Sequence, residues 1–321
     1  MRLTSYYQTS LALGSDVGLT LISNKSANDI DKIFKSLWNR IYTFERSFSR
    51  FIPRSELSLF NRSAGQHTKI STEFRDLLNA AKSISEQTGG LYNPFIMPAL
   101  QKTGYKQSAV AGYEHDIVDD YSRRRVGKID ELQIGDDWAM IPSDTAIDMG
   151  GCGKGYLADS LGDTLVGLGI TNFRLSLGGD ITTAGTDEFG CKWKIGIQDA
   201  GNLGGEIQQT IECPTSRFAV ATSGTFKRKG FVADEGWHHI INPATLQPAV
   251  TDVRLATICA DKALLADVLA SCVIIIGSKG ATNFAKSHGA SAMLLQCLNT
   301  NSVFQIQFGH FIINESASEG L

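Results

Sequence analysis

Phe173-Arg174-Leu175-Ser176-Leu177-Gly178-Gly179-Asp180-Ile181 reads as a strand that runs into a glycine turn. Phe173, Leu175 and Leu177 alternate with Arg174 and Ser176, the period-two pattern of a half-buried strand. Further strand-like runs follow at 193–198, 218–221, 239–241 and 254–260, several of them with turn residues and no helix between neighbours. Strands that follow one another without an intervening helix favour an α+β fold with mixed, largely antiparallel sheets over a doubly wound parallel one. The Gly178-Gly179-Asp180 segment is itself read as a turn at a strand end.

Outward from this stretch, helical spacing takes over. Ile30, Ile33, Phe34, Leu37, Ile41 and Phe44 recur at the period of a helix over 29–48, with Asn28 or Asp29 as its cap. Phe74, Leu77, Leu78, Ala81 and Ile84 mark a second helix over 72–86, ended by Gly89-Gly90. A third follows Gly153 and stops at Gly169, a fourth covers 262–276, and 291–307 reads as a closing hairpin. The stretch 102–137 is polar and irregular, and Arg123-Arg124-Arg125 within it reads as a solvated loop.

Composition narrows the function classes. Lys plus Arg is 30 and Asp plus Glu is 33 in 321 residues, a net charge of −3, so the basic excess of a nucleic-acid binder is missing. Hydrophobic residues at 42% and charged residues at 20% exclude disorder. The most apolar stretch, 263–277, is broken by Asp267 and Ser271 and is too short to span a bilayer. No signal-peptide core opens the chain, which therefore reads as cytoplasmic, with export or anchoring reserved for a form whose leader has been removed. The 6 cysteines form no CxxC pair and read as reduced core thiols rather than zinc ligands.

Several segments could carry chemistry. In Asp148-Met149-Gly150-Gly151-Cys152-Gly153-Lys154-Gly155-Tyr156 a glycine turn feeds a helix, which offers free N–H groups to an anion; a tight strand-to-helix turn is the equal alternative. The pattern matches neither a Walker loop nor GxGxxG. Ala221-Thr222-Ser223-Gly224-Thr225 lacks the GxSxG elbow of a serine nucleophile. His238 and His239 point to opposite faces if the segment is a strand, so they do not chelate one metal. Asp267 and Ser271 stand at i and i+4 on one face of an apolar helix, where a carboxylate needs a partner or a cation. A hard ion such as Mg²⁺ suits such oxygens, and a buried Asp–Lys pair is the alternative.

Taken in order, these segments resemble the ApbE family of FAD:protein FMN transferases. The resemblance is carried by Phe48-Ser49-Arg50, Ser55-Glu56-Leu57 with Asn61, Gly89-Gly90-Leu91-Tyr92-Asn93-Pro94, the 148–156 turn, Leu177-Gly178-Gly179-Asp180-Ile181, Trp193–Ile197, Thr222-Ser223-Gly224, His239-Ile240-Ile241 and Ala266-Asp267 with Ser271 and Gly277. It spans 13–277 and implies one two-lobed domain over 1–321 with FAD between the lobes. It further implies Mg²⁺ held by the Gly151 carbonyl with Asp267 and Ser271, and FAD contacts from Leu13, Phe51, Leu91, Tyr92, Asn93, Asp148, Lys154, Thr222 and Ile241. The activity implied is transfer of FMN onto a Ser or Thr hydroxyl of an acceptor protein, with release of AMP. His239 and Asp180 are the two candidates for the base. Two other activities fit the same residues: hydrolysis of FAD to FMN and AMP, and FAD binding without turnover.

The sequence departs from the family pattern in places. Ser271 stands where Thr is usual, and Asn93 and Asn242 stand where Asp is usual. The acceptor segment that the resemblance implies, acidic-x-x-Ser/Thr-Gly-Ala-Thr, has its nearest counterpart at Lys279-Gly280-Ala281-Thr282. Lys279 stands there where Ser or Thr is expected, and Ile276 where the acid should be, so self-modification is not indicated.

Overall fold

The computed structural model describes residues 3–106, 119–199, 207–226, 228–232, 235–298 and 303–313. Its centre is an eight-stranded sheet in which every neighbouring pair is antiparallel. In spatial order, which is also chain order, the strands are Thr4–Ala12, Ser15–Ser23, Asn172–Leu177, Asp180–Ala184, Phe218–Gly224, Val253–Ala260, Ala292–Leu298 and Val303–Phe308. The α+β architecture with largely antiparallel sheets is therefore as expected. The Gly178-Gly179 turn does more than end a strand: it is a two-residue hairpin, and Asp180 opens the next strand.

Among the described residues seven α-helices accompany the sheet: α1 (Ala27–Phe48), α2 (Glu56–Arg62), α3 (Thr72–Gln87), α4 (Met97–Lys102), α5 (Gly153–Gly167), α6 (Ala263–Ile276) and α7 (Ser278–Ser287). The apolar stripe of α1 is buried as its spacing predicts, but the helix begins earlier than expected and is capped by Ser26, whose Oγ accepts the N–H of Asp29. Gly89 and Gly90, both at positive φ, turn the chain after α3. Helices α2, α4 and α7 escape the sequence pattern because each is short.

Alternation of side chains across the sheet builds two cores. Phe173, Leu175, Leu177, Ala219, Ala221, Ala256 and Ile258 face α1, α5 and α6. Ile22, Val220, Cys259 and Leu294 face the other way, against a three-stranded sheet of Lys194–Gln198, Ile207–Glu212 and Ile312–Ile313. The run expected at 193–198 thus forms a strand outside the main sheet. The 239–241 run is not a continuous strand: His238 ends the hairpin Lys229–Val232/Glu235–His238, His239 lies in a bend, and Ile241–Asn242 pairs with Gln247–Pro248.

Other expectations need adjustment. All 6 cysteines are free and five are buried, but Cys191 is exposed. Arg124 is not a solvated residue: its guanidinium donates to the carbonyls of Asn61 and Thr145, while Arg125 pairs with Glu131 and Asp144 at the surface. Much of the irregular 102–137 stretch, namely 107–118, lies outside the described residues. Among the described residues no helix is long and apolar enough to cross a membrane.

Candidate active site

A cleft of about 880 Å³ opens between the main sheet and the α1–α4 side of the chain. Its walls bring together residues remote in sequence: Leu13, Phe51, Leu91, Tyr92, Asn93, Asp148, Gly151, Lys154, Thr222, His239, Ile241, Asp267 and Ser271 all line it. Of the predicted site residues, Asp180 alone does not. It is 2% exposed and sits behind Lys154, whose ammonium donates to it.

Each wall has a local cause. Leu13-Gly14 is the two-residue turn between the first two strands, with Leu13 at φ 57 and Gly14 at φ 62. Positive φ at both central residues gives the hairpin turn that matches strand twist, and Leu13 is an unusual side chain to carry it. Asn93 shapes the next wall: its Oδ1 accepts the N–H of Phe95 at 3.0 Å, capping a 3₁₀ turn, and its amide donates to the carbonyl of Gly127 at 3.0 Å. An Asp at this position could do the first and not the second. Asn242 makes a simpler turn, accepting from the N–H of Ala244, and its side chain stays out of the cleft.

The floor is formed where α5 crosses α6. A Cβ on Gly155 would fall 2.6 Å from the Ala263 oxygen and 2.7 Å from the Leu264 Cα, so only glycine lets the two backbones approach so closely. The Gly155 N–H donates to Asp267 Oδ2 at 3.2 Å, and Lys154 Nζ lies 3.6 Å from the same oxygen. Burial and the nearby Asp180 hold the Asp267 carboxyl well above the usual carboxylate range, with Lys154 and the Gly155 N–H opposing them. Burial acts against the charge on Lys154, but Asp180 and Asp267 outweigh it and hold the ammonium above its ordinary value. Ser271 Oγ lies 3.0 Å from Ser223 Oγ, and Thr222 Oγ1 lies 2.9 Å from Thr257 Oγ1.

Hard oxygen donors, namely the Asp267 carboxylate and the Ser271 hydroxyl of α6, face this cleft beside the Gly151 turn, a set that suits Mg²⁺. Among the described residues no three His, Cys, Asp or Glu side chains gather as a metal cage. A cation at this floor would have to complete its shell from backbone, hydroxyl, water and substrate oxygens, as Mg²⁺ commonly does.

On the opposite wall, Arg50 is almost fully buried. Its guanidinium lies 4.3 Å from the centre of the Phe51 ring and 4.4 Å from that of Tyr105, and its Nε lies 3.5 Å from Asp148 Oδ1. Nη1 donates to the Tyr105 carbonyl at 3.0 Å, while Nη2 is buried without a hydrogen-bond partner. Tyr105 in turn meets His239 edge-on at 6.2 Å. Burial, followed by Arg228 and His238, depresses the His239 imidazole to about 3, so it is neutral at neutral pH, and its Nδ1 is buried and unpartnered. Tyr92 donates to Cys152 Sγ at 2.9 Å, and burial pushes that thiol up to about 12. Arg50 stands in a motif that the sequence displays without a role; Tyr105 and Arg228 carry no local signal at all. The Lys279–Thr282 stretch lies within α7, away from the cleft.

The fold and this cleft define a class. The chain belongs to the ApbE family, whose model matches residues 13–295. Among relatives, it is 26% identical over 295 residues to the FAD:protein FMN transferase of Treponema pallidum, covering 86% of this chain and 80% of that one. It is 24% identical over 275 residues to the FAD:protein FMN transferase of Vibrio cholerae serotype O1, covering 83% and 78%. In fold it is similar to the flavin transferase ApbE from Vibrio cholerae, with a TM-score of 0.77, 22% identity and coverage of 95% and 97%. It is equally similar to the ApbE protein from Thermotoga maritima, with a TM-score of 0.76, 24% identity and coverage of 98% of each chain.

Proposed function

We propose that this chain is a Mg²⁺-dependent FAD:protein FMN transferase, acting as one domain over 1–321 with FAD held in the cleft. The observation that carries it is the convergence of Gly151, Lys154, Asp267 and Ser271 with the aromatic and apolar walls of one cleft, in a member of a family whose relatives bear that name. A Ser or Thr hydroxyl of the acceptor protein attacks the phosphorus on the FMN side of the FAD pyrophosphate. A phosphoester forms to the acceptor, the bond to the AMP phosphate breaks, and AMP leaves.

Leu13, Phe51, Leu91, Tyr92, Asn93, Asp148, Thr222 and Ile241 enclose FAD, and the apolar walls exclude water from the reacting phosphorus. Gly151, Asp267 and Ser271 would hold Mg²⁺, which would supply electrostatic stabilisation to the phosphoryl oxygens. Lys154 places a fixed positive charge beside them. His239, neutral and facing the cleft, takes the acceptor proton, and an anionic diphosphate beside it raises its proton affinity. Asp180 serves by holding Lys154.

The experiment follows AMP release from FAD and Mg²⁺, with and without an acceptor peptide, together with flavin fluorescence on the peptide in a denaturing gel. Peptide-bound flavin with AMP is expected; AMP with free FMN alone would assign a hydrolase, and neither product would leave a binding protein. Asp267→Asn should lower AMP release by at least about a hundredfold, since several kcal/mol of charge stabilisation depend on the cation. Turnover unchanged in that variant would remove the metal assignment.

A further inference from the structure

Helix α6, which carries Asp267 and Ser271, has no cap of its own. Lys262 precedes it and makes no capping hydrogen bond through its side chain. The first N–H groups of a helix need acceptors, and here they come from another helix. Asp159 of α5 reaches across: Oδ1 accepts the Ala263 N–H at 2.9 Å and Oδ2 accepts the Leu264 N–H at 3.0 Å. A carboxylate at this end also meets the positive pole of the helix.

The same carboxylate is tied on its other side. Arg217 Nη2 lies 3.6 Å from Asp159 Oδ1 and donates to the Asp159 carbonyl at 3.2 Å. Arg217 immediately precedes the strand Phe218–Gly224, which brings Thr222 and Ser223 to the cleft. About one turn before Asp159 on α5 sits Gly155, whose N–H meets Asp267 and whose missing Cβ lets α6 lie against it. Helix α6 is thus pinned to α5 at two successive turns. Gly151 stands just ahead of α5, and Asp267 and Ser271 stand about one and two turns beyond the pinned residues.

We propose that Asp159 is a positioning residue for the cation site: by capping α6 it sets the register of Asp267 and Ser271 against the Gly151 carbonyl, and so sets affinity for the divalent ion. This rests on the metal assignment proposed above. Residues one shell out from metal ligands commonly change affinity by about 10- to 100-fold when altered, because cation donors tolerate little displacement.

The test is Mn²⁺ binding by the full-length chain with FAD present, read from the electron paramagnetic resonance signal of free Mn²⁺. Asp159→Ala is expected to weaken binding about tenfold or more. Asp159→Asn, which keeps one accepting oxygen and nearly the same shape, should fall between it and the wild type. Asp252→Ala is the matched comparison, because Asp252 accepts the Ser278 N–H at 3.0 Å at the start of α7, a helix that lines no part of the cleft. It should lower thermal stability and leave Mn²⁺ affinity unchanged. Wild-type affinity in both Asp159 variants would overturn the proposal, as would an equal loss in Asp252→Ala. If Asp159→Ala does not fold, Asp159→Asn decides. A wild-type chain that binds no Mn²⁺ would instead overturn the metal assignment, and the proposal with it.

Discussion

The Gly155 N–H donates to the Asp267 carboxylate at 3.2 Å, at the point where α5 and α6 touch. What a Cβ on Gly155 would meet first is the main chain of Ala263 and Leu264, not the end of a flexible side chain. Gly155→Ala should therefore force the helices apart and cost about 3 kcal/mol, at the upper end for overpacking a tight contact. Urea denaturation followed by circular dichroism measures it, and a midpoint equal to the wild type would show that the crossing yields freely.

The depressed His239 carries a pH signature. The folded chain keeps the imidazole neutral down to about 3, whereas the unfolded chain protonates it near 6.5. The unfolded state binds the extra proton between these values, so stability rises with pH across that window and this contribution is complete above 6.5. Wild-type protein should lose up to about 2 kcal/mol from this group between pH 7 and 5. Denaturant curves for His239→Gln at the two pH values should show a correspondingly smaller loss. Identical losses in both proteins would contradict it.

Asn93 tests a departure from the family pattern. Its amide donates to the Gly127 carbonyl while its Oδ1 caps the 3₁₀ turn at Pro94. Asn93→Asp preserves the cap but sets a carboxylate oxygen against that carbonyl, at a cost of about 1–3 kcal/mol. Thermal unfolding is the measurement, and a stabilised variant would indicate that Gly127 readily finds another donor.

Arg50 is an ion-pair partner of Asp148 as well as a plate between two rings. Arg50→Met leaves the Asp148 carboxylate in the wall of the cleft without its cation. A loss near 3 kcal/mol is expected in chemical denaturation, as for other broken buried pairs. FAD binding, followed by quenching of flavin fluorescence, should weaken in parallel. Full retention of both would leave Arg50 without the role its burial indicates.

Much of the framework could be read from periodicity alone. The stripes of α1 and α3, the apolar α6 and the strand at Asn172–Leu177 declare themselves within a few residues. The first two strands do not, because their turn is Leu13-Gly14 and leucine gives no warning of a left-handed residue. His239 looks like part of a strand, yet it is a bend between two hairpins. Motif order pointed to the cleft residues, but Asp180 shows the limit: the same motif placed it near the chemistry without revealing that Lys154 stands in front of it. Interactions such as Asp159 with the start of α6 join residues more than a hundred positions apart, and no local window holds both.

That borrowed cap has a consequence for how the protein is made. Synthesis proceeds from the N-terminus, so α5 emerges well before the segment that needs Asp159 exists. Until residues 263 and 264 have been added, Asp159 has none of its backbone partners and the close groove at Gly155 lies open to water. When α6 does appear it is apolar along most of its length and cannot begin cleanly by itself. A nascent chain halted short of 263 thus lacks the helix that covers this sheet face, the kind of transiently exposed apolar surface that makes unfinished chains prone to aggregate. The cleft floor is completed late, by two helices that finish each other.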